Sequence, residues 1–320
     1  MVFKLKGNDV IKEQDIEVTE SLIGIYGYNN SGKTTILKEL DKVIDEENIK
    51  CIVNDGEYIR SLFIPTNRVI VRQAHTSSTQ IKDIEEFLAY KKDSYNEFDL
   101  HLRLIRENLL RNNAVRQVVK NAIIYMFGED YEFDFDRRQS DGVENIINIY
   151  CSIIWLFTWD KDIEDIKYDK LKQLLCDTSA VVMIDEIEAF LHVYVQSRML
   201  QKFKEDFSKC SFVFTTHSPL LLSRYYNIRK FQLDNGILNE INADLYYKDL
   251  DNIYEVYFNV EEFPKEAGEI INRLGDYICG EEYNRDVIVK DLEILNEQYA
   301  NVKAKYPGLV AKAEVKLGVE

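Results

Sequence analysis

The stretch Gly27-Tyr28-Asn29-Asn30-Ser31-Gly32-Lys33-Thr34 decides how the rest of the chain is read. It satisfies G-x-x-x-x-G-K-[ST] at every fixed position. Its flanks agree. Residues 21–26 (SLIGIY) read as a buried strand, and a helix from about 33 to 46 carries Ile36, Leu37, Leu40 and Val43 at helical spacing. Glycines between strand and helix let the backbone fold around phosphates and aim N–H groups at them. The helix N-terminus adds a favourable dipole. In such a loop Lys33 reaches the β- and γ-phosphates and the Thr34 hydroxyl ligates Mg²⁺. Gly27, Asn29, Asn30, Ser31, Gly32, Lys33, Thr34 and Thr35 are the candidate nucleotide-binding residues. A dinucleotide fingerprint fits worse, because Gly24, Gly27 and Gly32 do not make G-x-G-x-x-G.

A phosphate loop needs a second, acidic element for the metal and the water. Residues 181–186 (VVMIDE) supply four apolar residues of a strand and two carboxylates at its C-terminal end, where α/β sites are built. Asp185 is the candidate metal residue beside Thr34, and Glu186 the candidate general base. A third strand, 211–215, runs into Thr216-His217-Ser218-Pro219. Placed next to the previous strand, it would set His217 near the γ-phosphate, where an imidazole can donate to a phosphate oxygen. Lys33, Glu186 and His217 are the candidate catalytic groups.

The rest of the chain bounds this reading. It has 320 residues, 46% of them apolar, which suffices for one large α/β domain or a domain with an appendage. Four prolines and thirteen glycines exclude a collagen-like chain, and 20 Tyr with 16 Phe argue against wholesale disorder. A net charge of -16 argues against a surface that coats nucleic acid nonspecifically, though not against a local basic groove. The N-terminus lacks the apolar core of a signal peptide. The longest nearly apolar run, 146–159, is too short for a membrane span and reads as a buried helix. Five scattered cysteines without metal-ligand spacing suit reduced thiols, and a cytoplasmic location is expected.

Further elements follow from periodicity. Residues 2–5, 10–18 and 61–71 read as strands, and 81–127 as helical. Arg103, Arg106, Arg111, Arg116 and Lys120 make the last the most basic stretch, either a contact for nucleic acid or an acidic partner, or a solvated helical face. Residues 131–136 (YEFDFD) alternate as a half-buried strand would, with Asp134 and Asp136 on its solvated face or around a cation. Ser140-Asp141-Gly142 opens the apolar helix, which makes Ser140 a natural N-cap. The last 80 or so residues read as mainly helical, best at 270–278 and 287–306.

Together these motifs resemble the ABC-type ATPases of the SMC/RecF/OLD-like group more than a membrane transporter subunit. Residues 27–34 resemble Walker A, 181–186 Walker B with its catalytic glutamate, and 215–219 (TTHSP) the switch-histidine segment of OLD-like ATPases. Ser140-Asp141-Gly142 resembles a shortened ABC signature, and residues 63–68 the segment leading to the Q-loop. The resemblance covers about residues 1–235. It implies an α/β ATPase head with a mixed sheet, a helical insertion at about 80–127, and a mainly helical segment 236–320 for partners or dimerisation. It also implies a homodimer that sandwiches ATP, in which Ser140 and Gly142 of one chain contact the γ-phosphate held by Lys33 of the other.

The chain departs from the family pattern at Ile187, where a proline is frequent, and at Leu191-His192-Val193, where Leu-His-Pro is frequent. Gln73 and Gln80 are the available Q-loop glutamines. Glu188 lies where the D-loop starts. Full OLD proteins add a nuclease domain. Such a domain needs an Asp-x-Asp to hold metals; none is read after His217, where about 100 mostly helical residues remain, so no intrinsic nuclease is expected and the effector is expected on a separate chain. The expected function is Mg²⁺-dependent ATP hydrolysis that gates this effector, in phage defence or DNA maintenance, with DNA a candidate partner and no membrane role. The alternative is a nucleotide-gated scaffold or nucleic-acid-binding module in which hydrolysis is incidental.

Overall fold

The central sheet comprises β3 (Leu22–Tyr26), β4 (Ser61–Ile64), β5 (Ala180–Ile184), β6 (Cys210–Thr216), β7 (Ile228–Asp234) and β8 (Ile237–Glu240), ordered β4-β5-β6-β3-β7-β8. The first five are mutually parallel and β8 closes one edge antiparallel to β7. This computed structural model describes residues 1–18, 22–28, 30–53, 59–66, 105–161, 163–223, 225, 227–241, 264–280 and 283–318.

Every residue of β3, β5 and β6 is buried, as strands covered on both faces require. On one face Ile23, Ile25, Val181, Met183 and Val213 pack with Ile36, Leu37, Leu40 and Ile44 of α1 (Lys33–Val53). The same core takes Phe3, Leu5 and Ile16 from the hairpin of β1 (Val2–Leu5) and β2 (Gln14–Glu17). The strand expected over 10–18 begins only at Gln14. The Asn8 side chain accepts from the N–H groups of Val10 and Ile11, at 2.8 and 3.0 Å, and holds that segment as a turn.

The helices on this unit are α2 (Asn113–Phe127), α3 (Asp141–Thr158), α4 (Tyr168–Asp177), α5 (Val193–Asp206) and the short α6 (Pro219–Ser223). Phe203 of α5 stacks on Phe212 of β6 at 5.5 Å, and Tyr150 of α3 meets Phe203 and Phe207 at 5.7 and 5.3 Å. The apolar run expected to be a buried helix is α3, buried nearly all round. No helix among the described residues is long and apolar enough to cross a membrane. Burial pushes the thiols of Cys151 and Cys210 up to about 12, so both are inert at neutral pH, whereas Cys279 is exposed.

Residues 131–136 are not a strand. Asp134 accepts from the Asp136 N–H at 2.9 Å, a turn that brings Phe133 and Phe135 edge to face at 4.6 Å. Local side-chain bonding to the backbone outcompetes the alternating pattern there. The expected helical insertion is described only from residue 105 onward. Its counterpart at 80–104, with Arg103, lies outside the described residues.

The chain divides into two compact units, Met1–Lys248 and Asp249–Glu320. A boundary after residue 235 would cut the β7–β8 hairpin at its Asn235-Gly236 turn, where both residues have positive φ, so the hairpin stays with the first unit. The second unit contains α7 (Lys265–Cys279), α8 (Arg285–Glu297), α9 (Ala300–Lys305) and α10 (Pro307–Leu317). Ile270, Leu274, Ile288, Leu292, Leu295, Val310 and Leu317 form its own core. Arg273 grips Asp291 through two nitrogens at 2.8 and 2.9 Å. The helix expected over 287–306 breaks into α8 and α9 around Gln298 and Tyr299.

Candidate functional site

Parallel pairing sets the carboxyl ends of β3, β5 and β6 at one edge of the sheet. Tyr26 pairs with Thr216 and Ile184 with Phe214. Gly27, Asp185 and His217 therefore leave neighbouring strands at nearly one level.

The loop after β3 is built for close approach to its own backbone. A Cβ on Gly27 would sit 2.8 Å from both the Leu233 carbonyl and the Ser31 hydroxyl. Gly32 has φ +98, and a Cβ there would come within 2.7 Å of Val10. Asn30 takes φ 63, a left-handed conformation that asparagine tolerates better than most residues. Asn29 lies outside the described residues. The α1 helix starts at Lys33 with no acidic residue in its first turn, so the positive end of its dipole and its free N–H groups face outward uncompensated. Thr34 and Thr35 occupy that turn. Ser31 Oγ is buried without a hydrogen-bond partner among the described residues.

Lys33 is 7% exposed and its ammonium donates to the carbonyls of Gly27 and Tyr28, at 2.8 and 2.9 Å. Burial pulls its pKa below the ordinary lysine value, and the carboxylates of Asp185, Glu186 and Glu188 pull it back up.

Asp185, at 4% exposure, gathers three hydroxyls. Oδ2 accepts from Thr34 at 2.7 Å and from Thr66 at 2.9 Å, and Oδ1 accepts from Thr215 at 2.6 Å. Thr215 also accepts the Glu186 N–H at 2.7 Å, so one hydroxyl positions both acids. Glu186 has φ 45, a conformation that costs a non-glycine residue roughly 1–2 kcal/mol. Such strain persists only where the surroundings over-determine it, and it clusters at functional sites.

Glu188 was legible only as the start of a loop. Its Oε1 accepts the backbone N–H of His217 at 2.5 Å, which ties the turn after β5 to the end of β6. Its Oε2 is buried without a hydrogen-bond partner among the described residues, and burial raises its pKa above the ordinary carboxylate value. His217 itself is half-buried. His192 serves α5 instead: it is the N-cap, and its Nδ1 accepts from the Tyr194 N–H at 3.2 Å.

Ser140 and Gly142 lie at the start of α3, beside the turn after β5. Ser140 is the exposed N-cap of α3, yet its side chain makes no capping bond, contrary to the simple capping role. Gly142 lets α3 approach the turn after β5, since a Cβ there would meet the Phe190 carbonyl at 2.7 Å. Asn145 completes that contact by donating to the Ala189 carbonyl at 2.7 Å.

The basic stretch resolves toward structure. Arg106 is largely buried against Glu144 and Asn148 of α3, and Arg116 lies 4.9 Å over Phe135, while Arg111 and Lys120 are exposed. Gln73 and Gln80 lie outside the described residues. So does Asp249-Leu250-Asp251, an Asp-x-Asp after His217, so the expectation of no nuclease cannot rest on want of that pattern.

Residues 171–223, from α4 through the end of α6, match the family described as "AAA domain, putative AbiEii toxin, Type IV TA system". Septu protein PtuA of Bacillus mycoides (strain KBAB4) is 28% identical over 212 residues, covering 57% of this chain and 29% of its own length. The retron Ec83 probable ATPase of Escherichia coli is 23% identical over 176 residues, covering 48% of this chain and 32% of its own. The matched region thus spans about a third of either relative. Among solved structures, an ATP-binding subunit of an ABC transporter aligns over 79% of this chain and 96% of its own, with TM-score 0.42 and 16% identity.

Proposed function

We propose that this P-loop ATPase binds Mg²⁺-ATP through residues 27–35, hydrolyses it with Glu186 as general base, and pairs with a second copy around the nucleotide. One observation carries the reading: Lys33, Thr34, Asp185 and Glu186 converge at the carboxyl edge of one parallel sheet, joined through Thr34 and Thr215.

The residues suit the ligands they would hold. The orphaned Ser31 hydroxyl, the acid-free helix start and the buried Lys33 favour phosphate oxygens. The Thr34 hydroxyl and Asp185 carboxylate are hard oxygen donors, and a small octahedral cation completes its shell with phosphate and water. Magnesium bound there would neutralise charge on the β- and γ-phosphates.

The chain's own groups do the rest. Lys33 exchanges its two carbonyl acceptors for phosphate oxygens. Glu186, fixed by its backbone bond to Thr215, takes the proton of the attacking water. His217, tied by its backbone to Glu188, donates to the γ-phosphate. Catalysis is then positioning and charge stabilisation. Ser140, its hydroxyl unused in its own cap, and Gly142 would contact the nucleotide of the paired chain. The Septu and retron relatives support a defence setting in which the ATP cycle gates a partner effector, and the second helical unit is the proposed partner or dimerisation segment.

Glu186→Gln tests the core of this. It should keep ATP affinity, cut turnover about 100-fold or more, and accumulate an ATP-bound dimer visible by light scattering. Normal turnover would remove Glu186 from its role.

A further inference from the structure

We infer that Thr66 supplies a third protein oxygen to the cation site, beside Thr34 and Asp185. The inference rests on the reading that Thr34 and Asp185 hold the cation. Two hydroxyls donate to the same atom, Asp185 Oδ2: Thr34 at 2.7 Å from the start of α1, and Thr66 at 2.9 Å from the end of β4. They come from different elements, since Thr66 follows β4, the strand paired with β5, and Thr34 opens α1 after β3, two strands away on the other side of β5. Two hydroxyl oxygens thus meet one carboxylate oxygen of a residue that is 4% exposed.

A hydroxyl has one proton and two lone pairs. A divalent cation on Oδ2 leaves no place for the protons now pointed at that oxygen. Thr34 and Thr66 are equally able to rotate and present lone pairs instead. Thr215 is not equivalent. Its hydroxyl donates to Oδ1 while accepting the Glu186 N–H, so one of its two lone pairs is already engaged and it faces the other carboxylate oxygen. Thr215 orients the carboxylate, whereas Thr66 is placed like Thr34. The placement of Thr66 is also preorganised. The Asp185 N–H donates to the Ile64 carbonyl at 2.9 Å, β4 and β5 pair in register through Ile64 and Ile184, and Pro65 restricts the one intervening residue.

The alternative is that Thr66 merely caps the empty carboxylate. The two roles predict opposite signs, since a cap competes with the cation and a ligand assists it. The test is Mn²⁺ titration of the full chain with ADP, read by electron paramagnetic resonance, in Thr66→Val, Thr66→Ser and Thr34→Val, with metal-free ADP affinity measured alongside. Thr66→Val should weaken Mn²⁺ about tenfold or more, Thr66→Ser should stay near wild type, and metal-free ADP binding should not change. If Thr34→Val weakens Mn²⁺ but Thr66→Val leaves it equal or tighter, Thr66 is a cap and the inference falls alone. If neither variant weakens Mn²⁺, the cation reading of the site falls with it. Should Thr66→Val fail to fold, Thr66→Ala carries the same comparison.

Discussion

Two aspartates are buried in the first unit, and their company differs. Asp206, 1% exposed, accepts from Lys172 at 2.5 Å, Lys202 at 3.0 Å and the Tyr150 hydroxyl at 2.8 Å. Asp185, 4% exposed, gathers three threonine hydroxyls. The first is a closed electrostatic unit: two ammonium groups fasten α4 and α5 to a carboxylate, with α3 joining through Tyr150. The second takes three hydroxyls whose protons can turn away, and the Lys33 ammonium couples to it electrostatically. A carboxylate with its charge matched belongs to the scaffold.

Substitution at each should separate the two roles. Asp206→Ala leaves two lysines facing a lost charge and should cost about 3–5 kcal/mol, read from urea unfolding, with nucleotide affinity per folded molecule unchanged. Asp185→Ala should alter unfolding free energy by less than about 1 kcal/mol yet cut Mg²⁺-dependent turnover at least ~100-fold. The contrast breaks if both variants lose stability alike.

Lys33 sharpens it further. Its folded pKa is depressed by burial, so the stability tied to this group is full above the ordinary value of 10.5 and is lost as pH falls through the depressed one. At pH 8 the charged lysine is therefore a cost. Lys33→Met should melt a few degrees higher while losing ATP binding, and the gap should narrow as pH approaches 10.5. A lower Tm would make Lys33 part of the scaffold.

The smallest effect is expected at Glu188. Its folded pKa is raised by burial, so its contribution is full below the ordinary 4.5 and erodes as pH rises through the folded value. Glu188→Gln keeps an oxygen for the His217 N–H, so its melting curve should gain on wild type between pH 4.5 and 8. Parallel pH profiles would mean the carboxylate is not confined by burial.

Local signals served where chemistry is local. The strand–loop–helix around Lys33 and the strand ending at Asp185 and Glu186 were readable because each motif lies within a few residues. Asn235-Gly236 is a hairpin signal of the same kind, and the β7–β8 hairpin it turns belongs to the first unit rather than to the helical segment expected from residue 236. The alternation at 131–136 misled because Asp134 prefers its own backbone. Arg106 counted as surface charge in the sequence and is a buried partner of Glu144 in the fold.

By itself the sequence determined an α/β P-loop chain, its glycine-rich loop and its acidic strand end, since glycine spacing and apolar runs act through neighbours along the chain. Only the tertiary structure decided which hydroxyls surround Asp185. Thr34, Thr66 and Thr215 are 151, 119 and 30 residues away from it, and strand order alone brings them to one carboxylate. The same packing gave Asp206 two lysines as direct partners and Asp185 three threonine hydroxyls, because burial and hydrogen bonding depend on what surrounds a side chain in space.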